Sequence, residues 1–137
     1  MKINKKLAVI LILTATVTLT AAATISDPEP VRYTNLKVLP KNISSKELQG
    51  IMVDDFQDGL GVTCNFCHAN AKDSHKLDFA SDAKPEKQIA RVMMRMTLGI
   101  NKKYIKLKHP QIGDAALVVT CNTCHKGLPF PEGTEPK

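Results

Sequence analysis

Apolar positions along this chain fall into three blocks with different periods. The first, Leu7 to Ala23, is an uncharged and largely apolar run behind Lys2, Lys5 and Lys6. The second has the period of a helix: Leu48, Ile51, Met52 and Phe56 give one apolar face to a segment that opens at Ser44. Ser44-Ser45-Lys46-Glu47 has the form of a capping box, and Ile43 and Leu48 are placed for a hydrophobic staple. Asp58-Gly59-Leu60-Gly61 predicts its end, since glycine suits the left-handed position after a helix. The third block starts near Pro85, with Glu86 in the first turn. Ile89, Val92, Met93, Met96, Ile100 and Tyr104 trace one stripe there, with Met93 and Met96 facing inward. Met94 falls roughly 100° round the helix, towards the flank. Leu36 to Leu39 reads as a short extended piece packed on the domain, and residues 69–83 as a polar loop. Ala115 to Val119 is a short apolar piece, and three prolines after Gly127 predict an irregular tail. The pattern is mainly α, with helix and turn occurring twice.

Each turn leads towards the same pentapeptide. Cys64-Asn65-Phe66-Cys67-His68 and Cys121-Asn122-Thr123-Cys124-His125 both read C-x-x-C-H, the attachment signature of c-type haem. Two thiols at this spacing can each form a thioether to one porphyrin vinyl group, and the following His then lies beneath the iron as proximal ligand. All four cysteines of the chain belong to the two motifs. A thioredoxin-like dithiol would expect a βαβ context and would leave the His unexplained. A zinc ribbon would hold its pairs roughly 15–20 residues apart. Here the first cysteines are 57 positions apart. The reading is two covalently bound haem c groups, attached through Cys64, Cys67, Cys121 and Cys124, with His68 and His125 on the irons.

Compartment and charge agree with this. The lysines, the apolar run and the small residues Ala21-Ala22-Ala23 are laid out as a secretory signal peptide, expected over residues 1–23. Retention of that segment would make it a membrane anchor. The expected order continues with an exposed leader over 24–35, a dihaem domain over 36–131 and a tail over 132–137. Cleavage after Ala23 leaves 114 residues, one domain by length. The formal charge of +6 includes three signal lysines, and haem propionates would lower it further, so the basic balance does not argue for nucleic acid. The chain has no Trp, two Tyr and four Phe, which is thin for a core of this size and consistent with porphyrins supplying flat apolar surface.

A sixth ligand would close each iron, and Met sulfur raises the reduction potential. Met52 lies 12 residues before Cys64 on the apolar stripe, but methionine on such a stripe is also ordinary packing. Met93 and Met96 are not separated by spacing.

Asn35-Leu36-Lys37-Val38-Leu39, the Met52 helix and the first motif together resemble the cytochrome subunit of photosynthetic reaction centres. The likeness continues through Ala90-Arg91-Val92-Met93, Asn101, Tyr104 and Val119-Thr120 into the second motif with Lys126-Gly127. It spans about residues 35–131. The resemblance implies a small multihaem cytochrome of two helix–turn–C-x-x-C-H units in approximate repeat, each binding one haem. It implies Met52 as sixth ligand of the first haem and Met93 as that of the second, with Met96 as substitute. That family carries four haems; the two motifs here correspond to its first pair. His109 lies near, not at, the place of a family histidine ligand, and both it and His75 read as exposed.

Two classes of function follow. The first is a periplasmic electron carrier with two His/Met haems, working with redox proteins or a membrane electron-transfer complex, and with Lys102 to Lys108 placed to steer an acidic partner. The alternative is a dihaem peroxidase-type enzyme or a haem-based sensor, either of which needs one open iron position.

Overall fold

A computed structural model describes residues 32–72 and 74–132. The expected signal segment, most of the leader and nearly all of the tail lie outside these residues. The domain builds on the segment before the first helix, where Leu39 and Ile43 are buried and Leu36 and Val38 are partly so. This segment packs as expected, but it runs through a series of bends and forms no extended strand.

Helix α1 (Ser45–Gly50) opens on the predicted capping box. The Glu47 amide donates to the Ser44 hydroxyl at 3.2 Å, and the Ser44 amide donates back to the Glu47 carboxylate at 3.0 Å. The Ser44 amide, together with the Ser44 hydroxyl at 2.8 Å, donates to the Glu47 carboxylate and holds that carboxyl below its ordinary pKa. The helix does not end there: residues Ile51–Asp58 continue it as a π-helix, with hydrogen bonds spanning five residues. Ile51 is buried and Leu48, Met52 and Phe56 pack around it, so the predicted apolar face is the real one. Gly61 then takes the left-handed φ of 63°. Its backbone passes so close to Gly127 that an added Cβ would meet the Gly127 carbonyl oxygen at 2.2 Å. The Gly127 amide donates to the Gly59 carbonyl at 3.2 Å, tying the end of the first helix to the residues just after the second motif.

The first motif forms α2 (Cys64–Cys67). The region read as a polar loop contains a small hairpin, β1 (Ala69–Asn70) antiparallel to β2 (Leu77–Asp78), with Ala69 opposite Asp78 and Asn70 opposite Leu77. Helix α3 (Pro85–Lys103) starts at the predicted proline and ends in the predicted lysines. The second motif forms α4 (Cys121–His125), followed by Lys126 and Gly127 at positive φ. Among the described residues no helix is long and apolar enough to cross a membrane.

Helix α3 corrects one expectation. Its buried residues are Arg91, Met94, Thr97 and Asn101, one face at helical spacing. The apolar stripe lies on the other side: Ile89 is 55% exposed, Val92 51%, Met93 39% and Met96 49%. Met93 and Met96 therefore do not face the protein core, and Met94, expected on the flank, lies within it beside Leu39, Ile43, Ile51 and Ile112. The polar face can be buried because its groups are paired. Asn101, with no exposed surface, donates to the Thr97 carbonyl at 3.0 Å and the Val119 carbonyl at 2.6 Å. Its Oδ1 accepts from the amides of Val118 and Val119 at 3.0 and 3.1 Å. Every hydrogen-bonding position of that amide is used, and the chain entering the second motif is thereby fastened to α3.

The two halves interlock. Helix α2 packs against α3, and α4 packs against the π-helix, so each motif rests on the long helix of the other half.

Candidate haem-attachment site

Each motif is a short helix that presents its two cysteines and ends in a histidine. Thr63 and Thr120 precede them in extended conformation, and backbone hydrogen bonds from Phe66 to Thr63 and from Thr123 to Thr120 close the first turn. The His68 amide donates to the Cys64 carbonyl at 3.0 Å, fixing the histidine one turn below the first thiol. At the second motif the Thr120 amide donates to the Thr123 hydroxyl at 3.0 Å.

The two histidines have different surroundings. His125 Nδ1 lies 3.0 Å from the Leu128 carbonyl oxygen. A carbonyl only accepts, so this contact places the proton on Nδ1 and leaves Nε2 with its lone pair free. Such a hydrogen bond behind the ring is the usual way a metal-ligating histidine is oriented. His68 is half-buried with its ring edge-on to Phe79, the centroids 5.0 Å apart. Its Nδ1 is buried without a hydrogen-bond partner in the structure. Burial pushes its pKa down, as do the charges of Lys87 and Arg91, while the Phe79 carbonyl acts in the opposite direction. The net effect favours the neutral ring, the form that can bind a metal.

The thiols are unpaired with one another. Burial pushes the Cys67 thiol up, with Glu86 adding to the effect, and pushes Cys121 up with help from Asp55. A dithiol of the thioredoxin type needs the opposite shift. Among the described residues no three His, Cys, Asp or Glu side chains converge as a metal group, so the two pairs do not build one zinc site. The uncovered stripe of Ile89, Val92, Met93 and Met96 is a contiguous apolar face of the sort that receives another apolar body. At the second motif, two thiols and a histidine with a free Nε2 form the donor set that a covalently attached porphyrin needs.

An ionic knot stands behind the first histidine. Asp82 lies 2.8 Å from Lys37 Nζ, 2.8 Å from Arg91 Nη1 and 3.5 Å from Lys87 Nζ. Asn35 also donates to Asp82, at 2.8 Å, and to the Ala80 carbonyl. Lys37 foremost, then Arg91 and Asn35, hold the Asp82 carboxyl far below the carboxylate range. Lys87 reaches on to the carbonyls of Phe79 and Ser81 at 2.8 and 2.6 Å, fixing the strip that carries the Phe79 ring. Lys84 donates to the Asn65 carbonyl inside the first motif. Asp82 sits in a polar stretch of the sequence with no periodic signal to mark it, and Arg91 and Asn101 are marked there only by the family resemblance. Met52 is partly buried against the core cluster. His75 and His109 are exposed, as expected.

The model of the family described as photosynthetic reaction centre cytochrome C subunit matches residues 7–135. The photosynthetic reaction center cytochrome c subunit of Rubrivivax gelatinosus is 36% identical over 69 residues, covering 50% of this chain and 15% of that protein. Cytochrome c-554 of Chloroflexus aurantiacus is 33% identical over 95 residues, covering 69% of this chain and 20% of that protein. The chain thus spans a fifth or less of the length of these relatives. No solved structure matches it significantly.

Proposed function

This chain belongs to the photosynthetic reaction centre cytochrome c subunit family, and we propose that it is an exported electron carrier holding two covalent haems. The observation that carries the proposal is His125: a motif histidine whose Nδ1–H is engaged by the Leu128 carbonyl and whose Nε2 is free for iron. Cys64 and Cys67 would hold the first haem with His68 as axial ligand, and Cys121 and Cys124 the second with His125. Met52 is the proposed sixth ligand of the first iron and Met93 that of the second, with Met96 as substitute. The exposure of Met93 and Met96 beside Val92 supports a role in contact with something other than the protein core.

When bound, each haem supplies a one-electron ferric–ferrous couple. The chain's own residues do the rest. The π-helix and α3 hold apolar side chains that keep water from the macrocycle, and the Leu128 carbonyl keeps the His125 ring oriented. No acid or base positioned for substrate chemistry is required. In this proposal the dihaem domain occupies residues 36–131, residues 1–23 direct export to the periplasm or anchor the chain there, and the partners are redox proteins or a membrane electron-transfer complex.

Carbon monoxide titration of the reduced holoprotein tests ligation. Met52→Ala and Met93→Ala should each open one iron and gain one carbon monoxide per chain, while both porphyrins stay attached. The ferric methionine–iron charge-transfer band should halve in each. A band that keeps full intensity in Met93→Ala and halves in Met96→Ala moves the second ligand to Met96. Carbon monoxide binding by the unaltered protein would favour an open iron and overturn the His/Met assignment.

A further inference from the structure

A pocket of about 380 Å³ lies at the C-terminal end of α3, between Leu98, Gly99 and Lys102 on the helix and Lys108, His109 and Gln111 on the returning loop. Its charges are free. The ion-paired cations among the described residues, Lys37, Lys87 and Arg91, are gathered on Asp82. Lys102, Lys108 and His109 make no ion pair or side-chain hydrogen bond among the described residues, and Lys103 lies over the Tyr104 ring at 5.3 Å. The floor is just as telling. Glycine inside a helix is destabilising relative to alanine. Gly99 has ordinary helical backbone, and a Cβ added there would meet nothing within 4 Å. No protein atom packs on Gly99, and its missing side chain leaves the pocket open.

The pocket is also wired to the second motif. The Asn101 carbonyl accepts from the Leu107 amide at 3.0 Å, which seats the loop wall of the pocket. The same residue's side chain grips Val118 and Val119, immediately before the motif that starts at Cys121. Whatever rests in the pocket is one residue's contacts away from the second haem site.

We propose that this pocket is the docking site for an acidic segment of a redox protein partner, one carboxylate entering between Lys102 and Lys108 over Gly99. The docking role rests on the electron-carrier reading; the binding itself does not. Charge complementarity selects the occupant, since two lysines without ion pairs line the pocket and no acidic side chain does. A protein surface adds contact with the exposed Tyr104 and Ile105, the two residues that follow the helix.

The test uses the full-length holoprotein and a fluorescent Asp/Glu-rich peptide as probe, read by anisotropy at low salt. Lys102→Gln with Lys108→Gln should weaken binding by roughly threefold or more, since close charge pairs set such affinities. Lys41→Gln with Lys46→Gln removes the same charge from another part of the surface and should change little. Gly99→Leu fills the pocket with all charges intact; it should weaken binding while leaving the thermal midpoint equal or higher. Equal losses in both lysine pairs, or unchanged binding in Gly99→Leu, would overturn the proposal. Citrate at matched ionic strength displacing the peptide with equal affinity would assign the pocket to a small carboxylate and overturn it too. Haem staining of the unaltered protein reports separately on the electron-carrier reading.

Discussion

Two neighbouring methionines on α3 show how much depends on which way one residue points. Met94 is buried among Leu39, Ile43, Ile51 and Ile112, whereas Met93 is 39% exposed. Met94→Ala should therefore behave as a cavity mutation, costing about 2–5 kcal/mol by denaturant unfolding without opening an iron. Met93→Ala should do the reverse. Asn101 makes the same point for a polar group. Its side chain satisfies two amides and two carbonyls from inside the core, so Asn101→Leu leaves buried backbone groups unpaired at about 1–3 kcal/mol each. The loss should appear in the unfolding midpoint, with looser protection of the Val118 and Val119 amides against hydrogen exchange. Neither role was legible beforehand. Polarity alone places an asparagine on the outside of a helix, and a methionine's helical angle says which neighbours share its face, not which face is covered.

Among elements, the readable signals were local ones. The Ser44 capping box, the glycine at position 61 and Pro85 each act through their own backbone, and each appears where the sequence put it. The face of α3 was misread because periodicity reports only that an apolar stripe is to be covered. Covering by a porphyrin and covering by protein leave the same sequence pattern. The π-helix over Ile51–Asp58 had no signal, since its apolar residues also satisfy ordinary helical spacing. The knot at Asp82 joins residues 35, 37, 87 and 91, and such long-range pairing leaves no local pattern. Its consequence is testable by acid. Lys37, Arg91 and Asn35 lower the folded-state pKa of Asp82 below its unfolded value of about 3.9. A depressed carboxylate contributes stability that is present above the unfolded value and lost as pH falls towards the folded one. Unfolding midpoints should therefore drop more steeply below about pH 4 in the native protein than in Asp82→Asn. Equal acid profiles would show that the knot contributes nothing measurable.

At the scale of the whole molecule, the two motifs are neither independent beads nor a single metal cage. Each packs on the other half's long helix, and the Gly61–Gly127 approach closes the ring between the first helix and the residues beyond the second motif. The protein's own buried core is small: Leu39, Ile43, Ile51, Val62, Met94 and Ile112 are its buried hydrophobic members among the described residues. Two porphyrins completing the interior would account for that economy. Haem stoichiometry is therefore decisive. Purified from an exporting host, the protein should give a pyridine haemochrome ratio of two haems per chain, resistant to acid–acetone extraction. One haem per chain, or extractable haem with zinc present in proportion to protein, would contradict it.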